Sequence, residues 1–119
     1  MATLKKILIA DDDAAILDSL TAMLTFEGYE VTAVSDGSVL LKMKLYPDLL
    51  LLDIWMSGVD GRDICRQLKQ QANTHKLPIV LISASMDIER SALQAGADAF
   101  LAKPFDMHKL VAKIEQCIG

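Results

Sequence analysis

Apolar residues fall along this chain in two rhythms. Short unbroken runs, such as Lys6-Ile7-Leu8-Ile9-Ala10, Leu49 to Asp53 and Pro78 to Ser83, read as buried strands. Between them, apolar side chains return at helical spacing. From Ala14 to Phe26 they stand at Ile16, Leu17, Leu20, Met23 and Leu24, and Gly28 follows as a cap. Glu30 to Val34 is β-rich and predicts a second strand. Ser35-Asp36-Gly37 predicts a turn, then a helix through Leu45, which Pro47-Asp48 breaks. Further helices are expected over Asp60 to Gln71, capped by Asp60, over Asp87 to Ala95, closed by Gly96, and over Asp106 to Ile118. Ala99 to Ala102 is a fifth strand.

Strands that alternate with helices imply βαβ units, a parallel sheet and helices on both faces. The nearly continuous apolar strands agree, because strands covered on both faces have no polar side. The expected class is α/β, a doubly wound five-stranded parallel sheet. No linker or repeat interrupts it, so residues 1–119 are expected to form one domain.

Composition narrows the picture. The chain has 119 residues, 52% of them apolar and 24% charged, which suits one soluble core. Its formal net charge of -4 argues against direct nucleic-acid binding, which wants basic patches. No apolar run is long enough to span a membrane, and the start "MATLKKILIADDD" is too short for a secretory signal, so a cytoplasmic location is expected. Cys65 and Cys117 fit no metal spacing and are read as free thiols in helices.

Ligands in such a sheet bind beyond the C-terminal ends of its strands. Those ends carry Asp11-Asp12-Asp13, Asp53, Ser83-Ala84-Ser85 and Lys103-Pro104. Two carboxylates about 4 Å apart repel by roughly 4 kcal/mol at an effective dielectric near 20. A proton or a cation must relieve that repulsion, and Mg²⁺ is the natural choice for hard oxygen ligands beside phosphate. Each residue also has a plain structural reading. The acidic triplet, Asp13 above all, can cap the first helix. Asp53 can accept from a turn amide, Ser83 can shape a turn, and Lys103 can be a solvated strand end. Their conjunction on one rim favours a single site.

The motifs "ILIADDD", "LLLLDIWMSGVDG", "PIVLISAS" and "GADAFLAKPF" resemble receiver domains of bacterial two-component response regulators along essentially the whole chain. The resemblance, rather than the alternation of elements, implies the flavodoxin-like strand order 2-1-3-4-5. The resemblance implies that Asp53 accepts a phosphoryl group from a sensor histidine kinase or a phosphotransfer protein. It implies that Asp11 and Asp12 hold Mg²⁺ together with Asp53 and the backbone carbonyl of Trp55. Lys103 would pair with phosphoryl oxygens, and the backbone of Ala84 would contact them. Ser83 and Phe100 would be the switch pair, with Phe100 swinging inward as the hydroxyl turns. The face of helix 87–95, strand 99–102 and helix 106–118 would then control an unknown output. Lys103-Pro104 is expected to be cis. On this reading the chain is no enzyme beyond its own phosphoryl transfer and dephosphorylation, and is a monomer or a weak phosphorylation-dependent dimer.

Four positions matter where the chain departs from the family pattern. Ser57 stands where proline is usual. Trp55 is bulky beside the acceptor and is expected to shield an acyl phosphate from water, whereas small Ser85 leaves room for water. Ala99 replaces an acid of the usual dimer face. Two rival classes fit less well. A haloacid-dehalogenase-type phosphatase wants a second aspartate where Trp55 stands, and a flavin-phosphate site would be repelled by Asp11-Asp12-Asp13.

Overall fold

The computed structural model describes residues 4–56 and 58–118, so the expectation about Ser57 lies outside the described residues. Five strands form one sheet: β1 (Lys6–Ala10), β2 (Glu30–Val34), β3 (Leu49–Asp53), β4 (Ile79–Ser83) and β5 (Ala99–Ala102). They are parallel, as the alternation of elements implies, and ordered β2-β1-β3-β4-β5, as the resemblance to receiver domains implied. One register row runs Ala33, Ile9, Leu51, Val80, Ala99. The same register sets the ends of β1, β3, β4 and β5 along one rim, with Asp53 beside Ile82 and Ser83 beside Ala102.

β3 and β4 are buried along their whole length, because side chains of both parities meet a helical layer. On one face Ile7, Ile9, Leu51, Val80 and Ile82 pack with Leu17, Leu20 and Leu24 of α1 (Ala14–Phe26) and with Leu110 and Ile114 of α4 (Met107–Ile118). On the other, Leu8, Leu50, Leu52, Leu81 and Phe100 pack with Ile64, Cys65 and Leu68 of α2 (Gly61–Gln70) and with Ala92 of α3 (Glu89–Gln94). Each fully buried leucine or isoleucine contributes about 1.5–3 kcal/mol relative to exposure, so the strands that carry the rim are the firmest part of the molecule.

The helix expected from Gly37 to Leu45 is instead a 3₁₀ helix over Gly37–Lys42, and Met43 is already extended. Gly37 sits so close to α2 and the β3 loop that a Cβ would meet Met56 Cε at 2.7 Å. The Tyr46 hydroxyl donates to the Leu40 carbonyl at 2.8 Å, taking an acceptor that a continuing α-helix would need. The helix expected from Asp87 also opens as a 3₁₀ turn over Met86–Ile88 before α3 begins. One element was not expected. Trp55–Met56 and Val59–Asp60 pair as a two-stranded antiparallel ribbon, with Trp55 opposite Asp60. Gly58, at φ +74°, makes its turn. The caps at Asp13 and Asp60 are as expected, since each side chain accepts from the first turn of its helix.

Candidate phosphoryl and metal site

The rim of the sheet gathers the acids. Asp11 leaves the end of β1 and is 2% exposed, and Asp53 ends β3 and is 7% exposed. Asp12 is exposed beside them. One carboxylate oxygen from each of the three lies within 4.8 Å of the others. An octahedral Mg²⁺ holds oxygens at about 2.0–2.1 Å, so opposite ligands stand about 4.2 Å apart. Neighbouring ligands of such an ion stand about 2.9 Å apart, so the three donors must draw together around it, and hard carboxylates are the donors it prefers.

Lys103 follows β5 and reaches into this group. Its Nζ lies 3.0 Å from Asp11 Oδ2 and 3.7 Å from Asp53 Oδ1. The Lys103 backbone N–H donates to the Ser83 carbonyl at 2.8 Å, so the ends of β4 and β5 are tied together. The Lys103-Pro104 peptide is cis, as the resemblance implied. One ammonium cannot balance three carboxylates. Burial, and then repulsion from Asp11, push the Asp53 carboxyl up to about 6 against the pull of Lys103. The Trp55 backbone has a smaller effect in the opposite direction and favours the charged form.

Ser83 is buried, and its Oγ accepts from the Ser85 N–H at 3.1 Å. Ala84, next along, is exposed and lines a cleft with Lys103. Asp11, Asp12, Asp53 and Lys103 are therefore brought together, with Ser83 and Ala84 on the neighbouring strand end. Phe100 is set apart. It lies inside β5 beside Leu81 and is 6% exposed, so its ring already points inward. The Trp55 side chain is 55% exposed, with the Arg62 guanidinium 5.0 Å from its ring centroid. Sequence reasoning passed over Arg62, whose one local signal is a capping aspartate two positions before it.

The response regulator receiver domain model matches residues 7–115. This chain belongs to that family. The receiver is 42% identical over 113 residues to the response regulator MprA of Mycobacterium leprae, covering 92% of this chain and 49% of that protein. It is 37% identical over 114 residues to the DNA-binding response regulator MtrA of Mycolicibacterium paratuberculosis, again covering 92% and 49%. The receiver thus spans about half the length of these curated relatives. Among solved structures, a putative response regulator from Chloroflexus aurantiacus superposes with a TM-score of 0.92 at 31% identity, covering 98% of both chains. The receiver domain of sensor histidine kinase PA1611 from Pseudomonas aeruginosa, with a magnesium ion in its active-site cleft, superposes with a TM-score of 0.89 at 30% identity. That match covers 98% of this receiver and 99% of that chain.

Membership makes this chain a signalling module of two-component systems, whose receivers take phosphoryl groups from histidine kinases. Among the described residues no helix is long and apolar enough to cross a membrane. Both cysteines are free, Cys65 in α2 and Cys117 in α4.

Proposed function

We propose that Asp53 is the phosphoacceptor of this receiver and that Mg²⁺ is held by Asp11, Asp12, Asp53 and the Trp55 carbonyl. The observation that carries the reading is the Asp53 carboxylate, presented at the rim within 3.7 Å of Lys103 and inside the triad of acids. When bound, the metal neutralises charge that builds on the transferring phosphoryl oxygens.

The chain's own groups do the rest. An Asp53 oxygen attacks phosphorus in line. The bond from phosphorus to the imidazole nitrogen of a phosphohistidine breaks, and the electron pair leaves with the imidazole. The product is an acyl phosphate on Asp53. The Lys103 ammonium, already beside Asp53, pairs with phosphoryl oxygens, and the Ala84 N–H donates to them. The Ser83 hydroxyl leaves the Ser85 N–H to reach the phosphoryl group. Ser83 and Phe100 form the switch pair, with Phe100 seated inward beside Leu81 in this structure. The face of α3, β5 and α4 carries the change to the output.

The donor is a sensor histidine kinase or a phosphotransfer protein. MtrA is named as DNA-binding, and this acidic receiver matches only about half of it. Any DNA contact is therefore assigned to an output segment or partner rather than to this module.

Intact mass after incubation with acetyl phosphate and Mg²⁺ tests the reading. One added phosphoryl group is expected, dependent on metal and lost in Asp53→Asn. A chain that gains no mass, and whose Trp55 emission does not respond to beryllofluoride with Mg²⁺, overturns it.

A further inference from the structure

Arg62, the second residue of α2, spends its whole guanidinium on three different segments. Nε lies 3.0 Å and 3.2 Å from the two Asp60 oxygens, and one terminal nitrogen lies 2.6 Å from Asp60 Oδ2. The other terminal nitrogen donates to Ser91 Oγ at 2.9 Å. Ser91 lies in the first turn of α3 and donates its own proton to the Ile88 carbonyl at 2.9 Å, so a lone pair is left facing Arg62. The central carbon of the same guanidinium lies over the Trp55 ring, 5.0 Å from its centroid. Arg62 and Asp60 side chains are only 20% and 24% exposed, so this fork is shielded more than a surface ion pair.

The segments it joins are the ones that matter at the rim. Trp55 lies two residues after Asp53, and its backbone helps to favour the charged form of that carboxylate. Trp55 also pairs with Asp60 across the ribbon, so the guanidinium grips the same rung from the side-chain end. Ser91 sits beyond the short stretch that begins at Ser83. The contrast with Lys69 is instructive. Lys69 Nζ donates to the Leu77 carbonyl and to Asp98 at 2.7 Å each, tying α2 to the opposite end of the sheet with no link to the acids.

The geometry points to Arg62 as a positioning residue for the acceptor. It fixes Trp55, two residues from Asp53, and so the chain that leaves the end of β3, and it anchors that arrangement on α3 through Ser91. This role rests on Asp53 being the phosphoacceptor. A change at the loop after Ser83 moves Ser91, and the shift reaches Trp55 through one guanidinium. The reverse also holds, so a ligand at Asp53 biases the placement of α3.

Trp55 is the single tryptophan of the chain, so its fluorescence reads the clasp directly. Arg62→Met, Ser91→Ala and the double variant are compared with the wild-type receiver by acrylamide quenching and by the rate of mass gain from acetyl phosphate with Mg²⁺. A cation–π contact of this kind predicts that Arg62→Met lowers the maximal rate about two- to fivefold and leaves the half-saturating concentration unchanged. Quenching of the freed indole rises in the same variant. Ser91→Ala shifts both in the same direction by less, and adds nothing in the double variant, because the two act through one another. Wild-type quenching and rate in Arg62→Met, or effects of the two changes that simply add, overturn the role. Ser91→Ala removes one hydroxyl from the half-buried first turn of α3 and leaves the backbone intact, so the test stays decisive if Arg62→Met fails to fold. A wild-type receiver that gains no mass overturns the phosphoacceptor reading instead, and the quenching still decides whether the clasp exists.

Discussion

The Asp53 carboxyl sits at about 6 because burial and the neighbouring Asp11 outweigh Lys103. A raised acid pKa means that the folded chain binds the proton more tightly than the unfolded one, so stability falls as pH rises from about 4 through about 6. Removing the charge should therefore help the metal-free receiver. Asp53→Asn is expected to raise the urea midpoint at pH 7 in the presence of EDTA, and to match the wild type at pH 4. Equal midpoints at both values would mean that the acceptor is not strained by its surroundings. The individual rim residues were legible in the sequence because each ends a strand, and strand ends can be read from where an apolar run stops. Arg62 was not legible. Its role depends on Ser91 and Trp55, which approach it only once α2, α3 and the ribbon are packed together.

Among the elements, β3 and α2 meet at a close backbone junction. The Gly61 N–H donates to the Ile54 carbonyl at 2.7 Å, and a Cβ on Gly61 would stand 2.7 Å from the Asp53 carbonyl oxygen and 3.0 Å from Ile54 Cα. Backbone cannot yield as a flexible side chain does. Gly61→Ala is expected to cost about 1–3 kcal/mol by overpacking, read as a lower urea midpoint, and to slow acyl-phosphate formation because the strain lands on the acceptor's own peptide. An unchanged midpoint and rate would show that the junction can relax. The central strands were predictable, since their burial on both faces leaves a plain apolar run. The crossover after β2 was not. Val39, Leu40 and Leu41 satisfy a helical pattern, but Gly37 pressed against Met56 and the Tyr46 hydroxyl on Leu40 favour a 3₁₀ turn. The ribbon escaped notice because two residues a side leave no periodicity to read.

Across the whole molecule, the two helical layers give its two thiols different fates. Cys65 faces the sheet from α2 with no exposed surface, and burial pushes its thiol up to about 11. Cys117 near the end of α4 is only partly covered, and burial raises its thiol too. A disulfide reagent at pH 8 is expected to label Cys117 in the native receiver and Cys65 only when the fold opens, so that the slow phase follows global unfolding. Two labels entering at one fast rate would show that the α2 layer opens by itself.

The ion pair between Lys103 and Asp11 has a consequence for selectivity on the proposed reading. The ammonium that should greet an incoming phosphoryl group is already held by an internal anion, 3.0 Å away and almost free of water. A stray inorganic anion must compete with that built-in ligand and with two further carboxylates. A divalent cation changes the contest by occupying the acids and releasing the lysine. Metal and phosphoryl donor would then be read together, and on the proposed reading the module would act as a coincidence detector.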